Sequence, residues 1–145
     1  MVKCECFSYQ ADLLRVMVQR GVVKLTADKN GRTPLMEAAA ENTDPSYAAV
    51  LIEVGSDVNA RDNQGRTALM YGARSNNNPD VLSIILQAGA DINAKDDKGD
   101  TALHIAAREN SEKSILDFLL KSGADASAIN GEGLKASDLL PEGCI

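Results

Sequence analysis

The chain has no tryptophan and only 3% aromatic residues, so its core has to be packed from Ala, Leu, Ile and Val rather than from bulky rings. No apolar run approaches the ~20 residues that cross a bilayer. The opening MVKCECFSYQADLL also lacks the uninterrupted apolar core of a secretory signal. Cationic excess is missing: the net charge is −6 and the pI near 4.7. Binding to nucleic acid or to a membrane surface needs a dense basic patch, so neither is expected. The three cysteines, Cys4, Cys6 and Cys144, are an odd number and do not form a disulfide framework. Thiols of a cytoplasmic protein are the simpler account. A zinc site wants four ligands, and the single histidine, His104, is remote in sequence from Cys4 and Cys6. No metal or cofactor is expected. The closing EGCI is not a prenylation signal, because Cys144 stands second from the end rather than fourth.

What the sequence does have is internal repetition. Gly31, Gly65, Gly99 and Gly133 each follow Asp or Asn by three residues, and Gly21, Gly55, Gly89 and Gly123 form a second series. Both series step by 34 residues (65 − 31 and 89 − 55). Two glycine series sharing one period and one phase signal stacked repeats.

The unit can be read physically. Thr33, Thr67 and Thr101 suit helix N-caps, and Pro34 suits a first helical position. A short first helix follows, whose small residues Ala38 and Ala39, Gly72 and Ala73, Ala106 and Ala107 let a second helix approach closely. Asp44 and Asn78, each before a proline, are expected to cap that second helix. Counting back three, four, five, seven and eight residues from each glycine of the second series gives apolar residues throughout, from Val18, Met17, Val16, Leu14 and Leu13 to Leu120, Leu119, Phe118, Leu116 and Ile115. This is a wide apolar helical stripe, closed by glycine as a left-handed C-terminal cap. The segments that follow, such as SDVNARDNQG, end in turn chemistry and should project as hairpin-like loops.

With these residues in place, RTPLMEAA, RTALMYGA and DTALHIAA resemble the ankyrin signature, and GSDVNARD, GADINAKD and GADASAIN resemble its exit. The resemblance covers about residues 9–140. It implies an all-α fold: an ankyrin-type α-solenoid of stacked helix-turn-helix repeats with projecting hairpin loops. The expected organisation is a single domain over 1–145, with an N-terminal capping repeat at 1–27, full repeats at 28–61, 62–95 and 96–129, and a truncated cap at 130–145. The cap at the start should hold a short helix near Val2 to Phe7 and a second ending at Gly21; the cap at the end should hold an ASDLL helix. Two departures stand out. One extra residue per repeat falls between the two helices, at Asn42, Asn76 and Asn110. Met36 and Met70 replace the usual histidine, so only His104 can tie a first helix to the next hairpin.

No nucleophile with a positioned base is evident, and neither a phosphate-binding glycine fingerprint nor a P-loop is present, so no enzyme is expected. Asp28, Asp62 and Asp96 could pass for carboxylate ligands, but an Asp three residues before Gly caps a tight turn with its own side chain. The freely varying positions are more informative. On the first helices these are Glu37 and Glu41; Tyr71, Arg74 and Ser75; Ile105, Arg108 and Glu109. At the loop tips they are Lys29, Asn30 and Arg32; Asn63, Gln64 and Arg66; Asp97, Lys98 and Asp100. In ankyrins the matching positions face the partner along the concave groove and the tips. The resemblance therefore implies a monomeric, noncatalytic adaptor or inhibitor that binds a protein. Arg32 and Arg66, and Arg74 and Arg108, each stand 34 apart and gather on this face around Tyr71, so the partner is expected to hold an acidic or polar patch near Tyr71, Arg74 and Arg108. The alternative is an ankyrin segment packing on another domain of a larger protein.

Overall fold

The structure is a computed structural model and describes residues 12–13, 15–21, 26–41, 45–75, 78–109 and 113–140. Among the described residues, 12–13 and 15–19 are helical, and six further α-helices form three pairs: α1 (Pro34–Glu41) with α2 (Pro45–Glu53), α3 (Ala68–Ser75) with α4 (Pro79–Gln87), and α5 (Ala102–Glu109) with α6 (Lys113–Lys121). A one-turn 3-10 helix, Ala136–Leu139, follows. Helices α1, α3 and α5 pack in series with the 3-10 turn as an inner layer, and α2, α4 and α6 pack in series as an outer one. The result is an all-α solenoid. The positions of Val2 to Phe7, Asp44, and all three cysteines lie outside the described residues.

Each inner helix starts on its threonine. The hydroxyls of Thr33, Thr67 and Thr101 accept from the N–H of Met36, Met70 and His104 at 3.3, 3.5 and 3.4 Å, relieving one orphan donor of the first turn. Asn78 caps α4, its side chain accepting from Asp80 N–H at 3.0 Å, with Pro79 at the first position. The outer helices end as the glycine series requires. Gly89 has φ +102; its N–H donates to Leu86 O at 3.0 Å and the next N–H, of Ala90, to Ile85 O at 3.3 Å. This pair of bonds is the Schellman motif.

The core lies between the layers. Ala38, Ala39, Ala73, Ala106 and Ala107 are buried on the inner helices, against Leu51, Leu82, Ile85, Ile115 and Leu119 on the outer ones. The outer apolar stripe is narrower than its sequence suggests. Tyr47 is 36% exposed and Leu120 46%, as are Leu13 and Val16 at 49% and 41%. Leu120 stays wet because, among the described residues, α6 has an outer-layer helix beside it only on the α4 side. The ASDLL segment forms a single 3-10 turn rather than a longer helix, since Leu140 is extended (φ −69, ψ 138), as the residue before a proline tends to be.

Candidate functional site

The loop tips are built by one side chain each. Asp28, Asp62 and Asp96 accept through Oδ1 from the backbone N–H groups two and four residues on, at 2.8–3.0 Å, and Asn130 does the same at 2.9 and 3.0 Å. These carboxylates are turn formers, not a ligand row. Neighbouring tips are then joined by backbone bonds: Asn63 N–H to Asn30 O at 2.9 Å, Asp97 N–H to Gln64 O at 3.0 Å, and Gly131 N–H to Lys98 O at 2.8 Å. The approach is close enough that a Cβ on Gly99 would sit 2.7 Å from Gly131 N, and Gly99 has φ +79. Glycine is demanded twice over at that position.

This ladder sets out the expected binding residues. Lys29, Asn30, Asn63, Gln64, Asp97 and Lys98 are exposed on successive tips, and Glu37, Glu41, Arg74, Ser75, Arg108 and Glu109 are exposed on the inner helices. Arg32 and Arg66 are half-buried. Three positions sit deeper than a solvated groove would place them: Ile105 is 4% exposed and belongs to the core, Asp100 is 2% exposed, and Tyr71 is 8% exposed. Tyr71 is not a free anchor. Its hydroxyl donates to Asp62 Oδ2, and burial, followed by the Asp62 hydrogen bond and charge, raises its pKa above the ordinary value.

The cations of this face are largely committed to carboxylates. Arg74 pairs with Glu109. Arg108 Nη1 donates to Asp100 Oδ2 at 2.7 Å, while Asn130 Nδ2 donates to Asp100 Oδ1 at 2.9 Å. Arg66 lies 3.9 Å from Asp96, and the Arg32 guanidinium sits 5.0 Å over the ring of Tyr71. His104 is fully buried. Its Nδ1 accepts from Thr101 N–H at 3.2 Å, which puts the proton on Nε2, 2.9 Å from Leu134 O. With both nitrogens occupied, His104 ties α5 to the next loop and is not placed for acid–base chemistry.

Reading the sequence missed a second ladder on the exit loops. Asn59 Oδ1 accepts from Asp91 N–H and Asn93 Oδ1 from Asp125 N–H, both at 2.9 Å. The 34-residue spacing of the two asparagines (93 − 59) was the available signal. The contacts of Tyr71 with Asp62 and of Asn130 with Asp100 carry no such periodic mark. Among the described residues, no group of three or more His, Cys, Asp or Glu side chains is arranged to hold a metal ion, and no helix is long and apolar enough to cross a membrane.

No curated protein matches the chain. Family comparison does find a match: the description "Ankyrin repeats (3 copies)" fits residues 2–96, and "Ankyrin repeats (many copies)" fits residues 73–120. With the glycine-closed helix pairs, the threonine-led inner helices and the tip ladder, these matches show that the chain belongs to the ankyrin repeat family.

Proposed function

We propose that this protein is a noncatalytic recognition module, an adaptor or an inhibitor, that binds one protein partner across its loop tips and the inner-helix face beside them. Ankyrin repeats are in general protein–protein interaction modules and are typically noncatalytic. The observation that carries the proposal is the tip ladder. Backbone bonds between Asn30, Asn63, Gln64, Asp97, Lys98 and Gly131 hold a row of exposed polar side chains in fixed register. Pre-organisation of that kind lowers the ordering cost of binding. The exposed charges beside it, including Glu37, Glu41, Arg74, Arg108 and Glu109, supply polar complementarity, which favours association rate and specificity. The protein acts as a monomer in the cytoplasm and uses neither nucleic acid nor membrane as its target, in keeping with a net charge of −6.

A second reading, packing against another domain of a larger protein, draws on the exposed Leu120 and on the shallow apolar depression that Leu103, Leu116, Leu120 and Leu140 line at the end of the stack. Affinity capture from the source lysate separates the two readings. The first expects a specific partner to be lost with Arg74→Glu and Glu41→Lys and kept with the outer-face change Asp117→Lys. A partner lost with Leu120→Lys, and indifferent to the groove and tip changes, establishes the second reading and overturns the first.

A further inference from the structure

The repeat frame shows where a partner's charge has been left room. Arg66 has a carboxylate from the next unit, Asp96, within 3.9 Å. Arg32 stands 34 residues before Arg66, and Asp62 stands 34 before Asp96, so the frame assigns Asp62 to Arg32. The assignment fails because of one residue. At the position 34 before the buried Ile105 the chain has Tyr71, and the Tyr71 hydroxyl takes Asp62 Oδ2 while Oδ1 is held by Gln64 N–H and Arg66 N–H. Among the described residues Arg32 makes no ion pair. It stacks on Tyr71 instead; its Nε, like that of Arg66, is buried without a hydrogen bond, so what sets Arg32 apart is the missing carboxylate. A solvated lysine such as Lys29 on the same tip needs no partner, but a half-buried guanidinium with no carboxylate beside it carries an uncompensated charge. With Nε buried, the two Nη groups of the stacked guanidinium are the ones that can offer planar, two-pronged pairing to a carboxylate.

We propose that Arg32, oriented by Tyr71, is the partner's carboxylate site: it receives an Asp or Glu side chain, or a C-terminal carboxylate, of the bound protein. This rests on the recognition role proposed above and moves its electrostatic centre from Arg74 and Arg108, whose charges are paired within the chain, to Arg32.

The test is selection of a displayed random-peptide library on the whole chain, followed by affinity measurements on variants whose folding is checked by circular dichroism. The expected binders share one acidic position or require a free C-terminus, and weaken about tenfold or more with Arg32→Ala while changing little with Arg74→Ala. Tyr71→Phe keeps the ring but releases Asp62 to compete for Arg32, and should weaken them several-fold. Asp62→Asn should strengthen them: Asn130 shows that asparagine makes the same tip turn, and the competing charge is gone. A merely structural Arg32 would show no such opposite pair of changes. Binders that are lost with the inner-helix change Glu41→Lys or with Asn63→Ala, yet carry no carboxylate requirement or ignore Arg32→Ala, refute the site and leave the recognition face standing. Failure to select any binder, or binders sensitive only to Asp117→Lys, refutes the recognition face itself and the site with it.

Discussion

The junction of the first helix pair with the second and the junction of the third pair with the closing turn share one apolar frame and differ in polar chemistry. At the last junction His104 sits under Thr101 and reaches Leu134 O at 2.9 Å, and Asp100 is held by both Arg108 and Asn130. Its polar side chains hold the stack together. At the first junction Met36 sits under Thr33, its sulfur 3.4 Å from the Thr33 N–H, and a thioether has no proton to offer the next loop. Tyr71 engages Asp62, and among the described residues Arg32 has no ion pair. The same repeat therefore consolidates one junction and leaves at the other an arginine with no ion pair among the described residues, and the difference comes down to a few substitutions at equivalent positions.

The sharpest way to break the last junction is at its tip. Gly99→Val adds a left-handed steric penalty and a collision with Gly131, together about 2–5 kcal/mol. Gly89→Val meets nothing within 4 Å and costs only the conformational penalty, about 1–2 kcal/mol. Urea unfolding of both variants reports the difference; equal losses would mean that the tip contact carries no weight. Next in size is His104→Met, which remakes the last junction after the pattern of the first; Leu134 O loses its histidine bond but keeps the one from Asn130 N–H at 2.9 Å, for about 0.5–1.5 kcal/mol. A loss below that range would show the bond to be dispensable. Arg108→Ala should cost more than Arg74→Ala in the same assay. The Arg108 partner, Asp100, is 2% exposed in its side chain, whereas Arg74 and Glu109 are 45% and 32% exposed, a setting in which ion pairs contribute about 0–1 kcal/mol. The smallest effect is alkaline. The raised Tyr71 pKa means that the folded chain holds that proton more tightly than the unfolded one. Its contribution is therefore present in full below the ordinary tyrosine pKa of 10.0 and is lost as pH rises through the folded value. Difference absorbance against Tyr71→Phe should show one phenol that ionises late; a phenol titrating at its ordinary value would remove the Asp62 contact from the account.

The frame was legible because it is local and periodic. Threonine caps, Asn78 with Pro79, the helix-closing glycines and the Asp and Asn turns each depend on residues within a few positions, and each recurs at 34. The charged face was only half legible. The sequence placed Arg74 and Arg108 on one side of the stack, yet Asp100 meeting Asn130 and Tyr71 meeting Asp62 depend on how deep each side chain lies. Depth is set by the neighbouring unit rather than by spacing. The same holds for Ile105, which follows Glu37 and Tyr71 in the repeat and is buried where Glu37 is exposed. Leu120 shows the reverse: its apolar position in the stripe predicts burial, but among the described residues α6 is the last helix of the outer layer.

The contrast between the junctions can be read from arginine side chains directly. With the chain isotopically labelled and titrated with a peptide selected on it, the guanidinium Nη resonances of Arg32 should shift and become protected from exchange, while those of Arg108, whose guanidinium is already tied to Asp100, stay in place. A shift at Arg108 with Arg32 unmoved, or no change at either while the peptide binds, would contradict the assignment of the partner-facing charge to the first junction.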